Sequence, residues 1–450
     1  MEQKTPKGLI ALLFVGVLMG ALDISIVGPA IPSMESNLHI GPRFSGWIFS
    51  IYVLFNLVGI SLFARLSDIF GRRYIYIIAL TVFALGSLWV SLSTNFEYLL
   101  IGRAIQGFGA SGIFPVASAV VGDIFPPEKR GRILGLIGAV FGIAFLIGPF
   151  VAGVLLHYLA WNFLFIINLP VSAVLIYFSF KILPSVPNIR VSRIDWSGIV
   201  TLGISLASLT FGLNNLNSSG LDTELFNSTV IFSLSLSVLS LIIFFLVEKR
   251  AENPIIKFSF FSNRQILIAG VIAVVTGVVQ ACFVFIPKFV VQSFSVAPST
   301  ASFMLTPFVI AVAIGSPLFG RLIDKFGVKK IIIIGLACLI AGFYILSLSS
   351  NQITLYYTSG IFIGLGLSVL AGSSLRYIML NNTSVDDRAV SQGMLTIFIS
   401  VGQLVGTAII GLVLASLIQV NAYQNIFTGV AVLLFFMLVL AFRLKNTAST

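Results

Sequence analysis

Charge is what this sequence lacks most. Asp, Glu, Lys and Arg together make up 9% of its 450 residues, against 58% for the hydrophobic types, at a mean hydropathy of +1.08. A water-soluble domain cannot cover its core with so little polar surface. The composition therefore excludes one and indicates a polytopic membrane protein, with the lipid bilayer as its surroundings. Histidine and cysteine are equally scarce, with two of each. His39 and His157 fall on loops of one side, and Cys282 and Cys338 lie inside separate apolar segments. That leaves no disulfide framework, no metal set, and no nucleophile with a base beside it for chemistry within the membrane. The expectation is a protein that is not an enzyme and carries no cofactor. Lys and Arg outnumber Asp and Glu by 26 to 15. They sit in short loops between apolar runs, which argues against nucleic acid as a partner and makes them a topology signal.

What the chain has in abundance is apolar runs of about 20 residues, the length that spans a bilayer. Fourteen helices are predicted near residues 8–33, 44–64, 74–94, 97–122, 131–156, 161–183, 195–215, 228–247, 265–291, 300–321, 329–349, 352–376, 389–418 and 423–443. Lys4 and Lys7 precede the first run as in a signal peptide. The run itself is longer than such a segment and lacks a cleavage site, so a retained first helix is expected. Basic clusters fall in alternate loops: Arg65/Arg72/Arg73, Lys129/Arg130/Arg132, Arg190/Arg193, Lys249/Arg250/Lys257/Arg264, Arg321/Lys325/Lys329/Lys330 and Arg376/Arg388. The opposite loops carry little beyond Arg43 and Lys288. The positive-inside rule then places both termini in the cytoplasm.

The chain also repeats itself. "LFARLSDIFGRR" from Leu62 returns as "LFGRLIDKFGVKK" from Leu318, an offset of 256, each after the second helix of its half. "EKRGRILGLIGAVFGIAFLIGP" has a weaker echo in "DDRAVSQGMLTIFISVGQLVGT" in the same register. Two related six-helix bundles are expected, residues 1–185 and 259–450, with two inserted helices in 186–258. Halves of this kind rock about a central cavity and expose it to each side in turn.

These residues resemble the major facilitator superfamily, and its 14-spanner drug:proton antiporter branch in particular. "ARLSDIFGRR" is similar to the superfamily's loop after helix two, with Asp68, Gly71, Arg72 and Arg73 in place, but with Ala64 for the usual glycine and Ile69 for a basic residue. "RAIQGFGA" from Arg103 is similar to the helix-four motif. "AFLIGPFVAG" from Ala144 resembles the helix-five antiporter motif, loosened by Ala144 and Ala152. "LDISIVGPAIP" is similar to the helix-one motif of the branch, with Gly28 for the customary asparagine. The resemblance implies an all-α membrane protein of the major facilitator fold that exports drugs against protons.

Three constellations carry the expected mechanism. The first is the duplicated loop, where Asp68 and Asp324 stand beside Gly71 and Gly327 in tight interhelical turns. Loop charges are commonly only solvated and orienting. An aspartate kept in both halves can instead pair with Arg130 or with a helix N-terminus across the halves. The resemblance implies that Asp68, Gly71, Arg72, Arg73, Arg130, Asp324, Gly327 and Lys329 latch the outward-facing state. The second is helix five, where Gly148, Pro149 and Gly153 lie on a small-residue surface. Ordinary membrane packing explains the small residues, and the Gly148-Pro149 pair within the antiporter-like pattern favours function.

The third is the pair of deep charges. Among the fifteen acidic residues, Asp23 is the one carboxylate deep in a predicted span, and Arg103 is the one deep basic residue. A charge at the bilayer centre costs at least ~2.5–3.5 kcal/mol, so both should face the protein interior. Asp23 is placed ~15 Å and Arg103 ~9 Å below the outer surface at 1.5 Å per residue, a difference that an arginine side chain can cover. Such a pair can be static packing. It can also couple protons, because burial favours the neutral acid, Arg103 favours the carboxylate, and the balance shifts with the direction in which the cavity opens.

Polar stripes mark the expected cavity: Gln106 and Phe114 on helix four, Tyr52 and Asn56 on helix two, Gln280 and Phe283 on helix nine. On helix thirteen Gln392, Thr396, Ser400, Gln403 and Thr407 follow one another on one face, more than interhelical glue requires. The expected function is proton-coupled export of lipophilic, neutral or monocationic small molecules by a monomer in a bacterial inner membrane. Export of a lipid or endogenous metabolite, or proton-linked import, would use the same fold.

Overall fold

A backbone in lipid has no water to bond, so each crossing segment must satisfy its own amides, and every apolar run of this chain becomes an α-helix. The computed structural model describes residues 8–41, 44–125, 127–183, 196–215, 228–251, 258–383, 388–416 and 419–445. The helices are α1 (Leu9–Leu38), α2 (Gly46–Phe70), α3 (Arg72–Ser91), α4 (Phe96–Ile124), α5 (Pro127–Tyr158), α6 (Phe163–Ile182) and α7 (Trp196–Asn214). They continue with α8 (Ser228–Glu248), α9 (Arg264–Phe294), α10 (Thr306–Phe326), α11 (Val328–Ser347), α12 (Ile353–Asn381), α13 (Arg388–Ser416) and α14 (Gln419–Ala441). Thirteen of these regions are long and apolar enough to cross a membrane. The fourteenth is α5, a 32-residue helix with an apolar stretch over Ile147–Tyr158. The protein is an all-helical, multi-pass membrane protein.

Three details depart from the expected spans. Helix α1 runs through Pro29 and Pro32 to Leu38, past the exit expected near Ser33. Helix α10 is preceded by a separate short helix, Pro298–Phe303. Helix α12 continues past 376 to Asn381, but a π-helical turn at Leu370–Ser374 interrupts it, and Gly372 there has ψ −126°. Lys288 and Arg376, counted among the loop charges although the predicted spans 265–291 and 352–376 reach them, both lie inside helices, α9 and the last segment of α12.

Within the first group of helices α4 packs on α2 and α3, α1 on α5, and α3 on α6. In the second, α9 packs on α13, α10 on α12, and α11 on α12 and α14. The groups meet along α1–α9, α2–α13 and α5–α10. Helices α7 and α8 pair with each other, and α7 lies along α2 and α13, beside one of these seams.

The two copies of the loop motif share one backbone shape. A single glycine joins α2 to α3 and another joins α10 to α11: Gly71 at φ 92°, ψ 147° and Gly327 at φ 83°, ψ 152°. This region is open only to a residue without a Cβ. The same sharp corner therefore recurs where the sequence motif recurs.

Contact between the groups is close at the end of the bundle where α1 finishes, the Leu38 end. Glu35 and Lys288 form an ion pair of 2.5 Å across α1 and α9. Ser50 and Thr407 share a 2.6 Å hydrogen bond across α2 and α13. A Cβ on Gly28 would stand 3.0 Å from the carbonyl oxygen of Val284. Phe303 lies against Phe150 and Gly153 of α5. At the opposite, Phe70 end, the hydrogen bonds of Arg72, Asn263, Lys329 and Arg376 each stay within one group.

Candidate functional site

Five helices converge on Asp23. One turn of α4 presents Arg103 and Gln106, three residues apart and so on one face. Arg103 Nη1 donates to Asp23 Oδ2 at 2.7 Å and to Gln106 Oε1 at 2.6 Å. Gln106 Nε2 donates to Asp23 Oδ1 at 2.6 Å and to Ser87 Oγ of α3 at 2.8 Å. Asn168 Nδ2, from α6, reaches Asp23 Oδ1 at 3.1 Å and Ser87 Oγ at 3.2 Å. Arg103 Nε donates to the Ile48 carbonyl of α2 at 3.1 Å, and Tyr52 of α2 lays its ring 4.3 Å from the guanidinium carbon.

Packing explains how these groups come so close. Gly86 of α3 lies directly against the backbone of Gln106, where any side chain would collide. Asn168 begins the second part of α6, just after the helix breaks at Ile167. Asp23 and Arg103 are 1% and 0% exposed. The carboxylate accepts three hydrogen bonds, so its burial is compensated by donors as well as by the opposite charge.

The sequence anticipates the Asp23–Arg103 pair but not its companions. Ser87 and Asn168 carried no signal beyond being isolated polar residues in apolar helices. Gln106 and Tyr52 were expected to line the substrate cavity, and the structure instead buries both in this network. Both follow Asp23 because they share helix faces with its other partners. Lys288 is a second buried basic residue, contrary to the expectation that Arg103 is alone, and it is matched by Glu35.

Helix α5 presses on α1 beside this site. Gly148 lies against the Ser25 side chain, and Ser25 Oγ donates to the Ala144 carbonyl at 3.0 Å. Pro149 lies inside the helix, and Gly153 meets Phe303 of the other group. The small residues thus connect the neighbourhood of Asp23 to the seam between the halves.

At the Phe70 end Asp68 pairs with Arg72 at 2.6 Å, and Arg72 Nε donates to Asp123 at 2.8 Å. Arg73 Nε donates to the Leu183 carbonyl at 2.5 Å, pinning α3 to the end of α6. Asp123 is a member of this cluster that the sequence did not assign. All these contacts lie inside the first group. Lys329 donates to the Phe442 carbonyl at 2.6 Å. The side chains of Arg130 and Asp324 lie outside the described residues.

Of the other expected cavity residues, Gln403 Nε2 donates to Gln280 Oε1 at 2.7 Å, joining α13 to α9. Phe283 stacks on Phe308 at 4.1 Å between centroids. Asn56 donates to the Gly107 carbonyl at 3.3 Å, and Phe114 is partly buried on α4. Gln392 exchanges two 3.2 Å hydrogen bonds with Arg376.

A profile of the Major Facilitator Superfamily matches residues 13–289 and 268–449. The "Uncharacterized MFS-type transporter YfiU" of Bacillus subtilis (strain 168) is 31% identical over 430 residues, 94% of this chain and 83% of that protein. "Multidrug resistance protein 3" of the same organism is 30% identical over 434 residues, 94% of this chain and 81% of the other. Among solved structures, the nucleoside transporter NupG has a TM-score of 0.68 at 16% identity, covering 97% of this chain and 100% of its own.

Proposed function

Because the chain belongs to the Major Facilitator Superfamily, a family of transporters and not of enzymes, we propose that it is a proton-coupled antiporter that exports lipophilic, neutral or monocationic compounds from the cytoplasm. The likeness to Multidrug resistance protein 3 across 94% of the chain supports drug export. The observation that carries proton coupling is the fully buried Asp23–Arg103 pair, held by Gln106, Asn168 and Ser87.

A proton on Asp23 removes the anion opposite Arg103 and converts one carboxylate oxygen from acceptor to donor. The hydrogen bonds contributed by α2, α3, α4 and α6 must then rearrange. Asp23 stands two residues from Ser25, which rests on Gly148 of α5, and five from Gly28, which meets Val284 of α9. Rearrangement at Asp23 is thereby passed to helices on both seams. With both termini cytoplasmic, the Leu38 end is the outer one, and the conformation described is closed to the outside. The Asp68–Arg72–Asp123 cluster then holds an unlatched cytoplasmic loop, and Asp68 exchanges partners with Arg130 when the halves close there. Gly71, Arg73, Asp324, Gly327 and Lys329 shape the paired loops. The bacterial cytoplasmic membrane is the proposed location.

The test is ethidium efflux in proteoliposomes under an imposed pH gradient, wild type beside Asp23→Asn. Wild type should accumulate ethidium against its gradient, and the variant should not. Uphill, pH-driven movement that persists in Asp23→Asn would remove the carboxylate from the mechanism.

A further inference from the structure

Among the described residues, the second group of helices contains a basic side chain with no acidic partner. Arg376 is partly buried in the last segment of α12, five residues or ~7.5 Å from the end of the helix. Gln392 accepts from its Nη1 at 3.2 Å, and among the described residues no carboxylate lies within ion-pair distance. The other buried basic side chains, Arg103 and Lys288, are each matched by a carboxylate. A partly desolvated cation without a counterion is costly, and such a residue in a membrane segment marks a functional site.

Its surroundings belong to the second group, where the last segment of α12 packs on α13 and α9. Gln392 shares a face of α13 with Gln403, which touches α9, and that face reaches α2 of the other half only at Thr407, 15 residues or ~22 Å further along the helix. One turn before Arg376, at the π-helical interruption, Gly372 leaves the helical conformation and has open space where a side chain would project. Interruptions of this kind in membrane helices are tolerated where the backbone is buried in protein or lines a cavity, and π-helical turns are frequent at functional sites; the open space beside Gly372 favours the second setting.

We infer that Arg376, oriented by Gln392 beside the open Gly372 turn, is a binding subsite for the oxyanion of an amphiphilic cargo molecule, a lipophilic carboxylate or phosphate. A guanidinium offers a planar fork that matches two oxygens of such a group, and Gln392 engages one of its nitrogens, leaving donors to spare. This assignment rests on the export reading above and widens its cargo class to acids and zwitterions. It also gives the second half of the repeat a charge-recognising element where the first half has its proton site.

The test compares binding of pyrenebutyrate with its uncharged amide to purified full-length protein in phosphatidylcholine nanodiscs. Wild type should bind the carboxylate about tenfold tighter or more, the worth of one charge-assisted contact. Arg376→Gln should erase that preference while leaving amide binding in place, and Arg376→Lys, which keeps the charge but not the fork, should retain part of it. Equal affinity for both probes in wild type, or an equal loss for both in Arg376→Gln, would overturn the assignment. Loss of the preference on adding phosphatidylglycerol to the discs would overturn it too, by giving the site to lipid headgroups. Ethidium efflux by wild type is measured in parallel: its absence counts against the export reading alone, because probe binding is read without transport.

Discussion

Replacing Lys288 with Met should unlock the Leu38 end. The Glu35 and Lys288 side chains are 14% and 4% exposed, so the closed state has removed both charges from water and offsets this with one 2.5 Å ion pair. When the halves separate there, each charge regains its hydration. In Lys288→Met the closed state keeps a desolvated Glu35 carboxylate with no partner. A charge-assisted hydrogen bond contributes about 1.5–3 kcal/mol, so the closed state should lose roughly that much relative to the open one. At ~1.4 kcal/mol per tenfold, the open-to-closed ratio rises about 10- to 150-fold. A resting ratio of about 1:99 would become roughly 9–60% open.

Spin labels at Ser36 and Ser295, both exposed near the ends of α1 and α9, report this as a second, longer distance in pulsed electron resonance. The background would carry Cys282→Ser and Cys338→Ser. Adding Glu35→Gln should recover part of the closed population, because a neutral amide is cheaper to bury than a lone carboxylate. An unchanged distance distribution in Lys288→Met would refute the reasoning, and so would an equal shift in the single and double variants.

Other substitutions probe the remaining elements. Asn168→Leu withdraws a donor from both Asp23 and Ser87, and should cost about 1–3 kcal/mol, read as a lower midpoint of thermal unfolding in detergent. An unchanged midpoint would mean that Asn168 is not needed to hold the buried carboxylate. Gly71→Ala forces a Cβ into a backbone region open essentially to glycine, at about 1–3 kcal/mol, and Gly327→Ala should behave alike. Folded yield by size-exclusion chromatography checks both, and wild-type yield in either would show that its corner tolerates a side chain. Asp68→Asn should slow efflux and change the labelling of cysteines placed at the mouth of the bundle's Phe70 end. If transport and labelling both matched wild type, the latch role of Asp68 would be lost.

Much of the architecture was legible because lipid leaves a helical backbone few alternatives. Run length gave the number of helices, and the repeated Gly71 and Gly327 foretold two identical corners, since a glycine between two apolar runs has a local conformational meaning. Prolines were less informative: α1 continues through Pro29 and Pro32, where neighbouring helices support the backbone. Lys288 and Arg376 were counted with the loop charges for a related reason, although the predicted spans 265–291 and 352–376 reach them. A charge near the end of an apolar run reads as part of the neighbouring loop, unless a partner such as Glu35 is known to await it.

By itself, then, the sequence determined the membrane setting, the helix count, the recurrence of one loop motif and the presence of Asp23 and Arg103 within apolar runs, all properties of composition and spacing along one dimension. The fold decided what those charges touch. Ser87, Gln106 and Asn168 stand 64, 83 and 145 positions from Asp23 along the chain. No periodicity within a helix records that α3, α4 and α6 turn these faces toward α1. Hydrogen bonding acts only at close range, so a polar residue shared between helices acquires its meaning from packing. The same side chain, Gln106, suits a substrate cavity when read along α4 alone, and becomes part of the buried ion-pair network once α1 lies beside it.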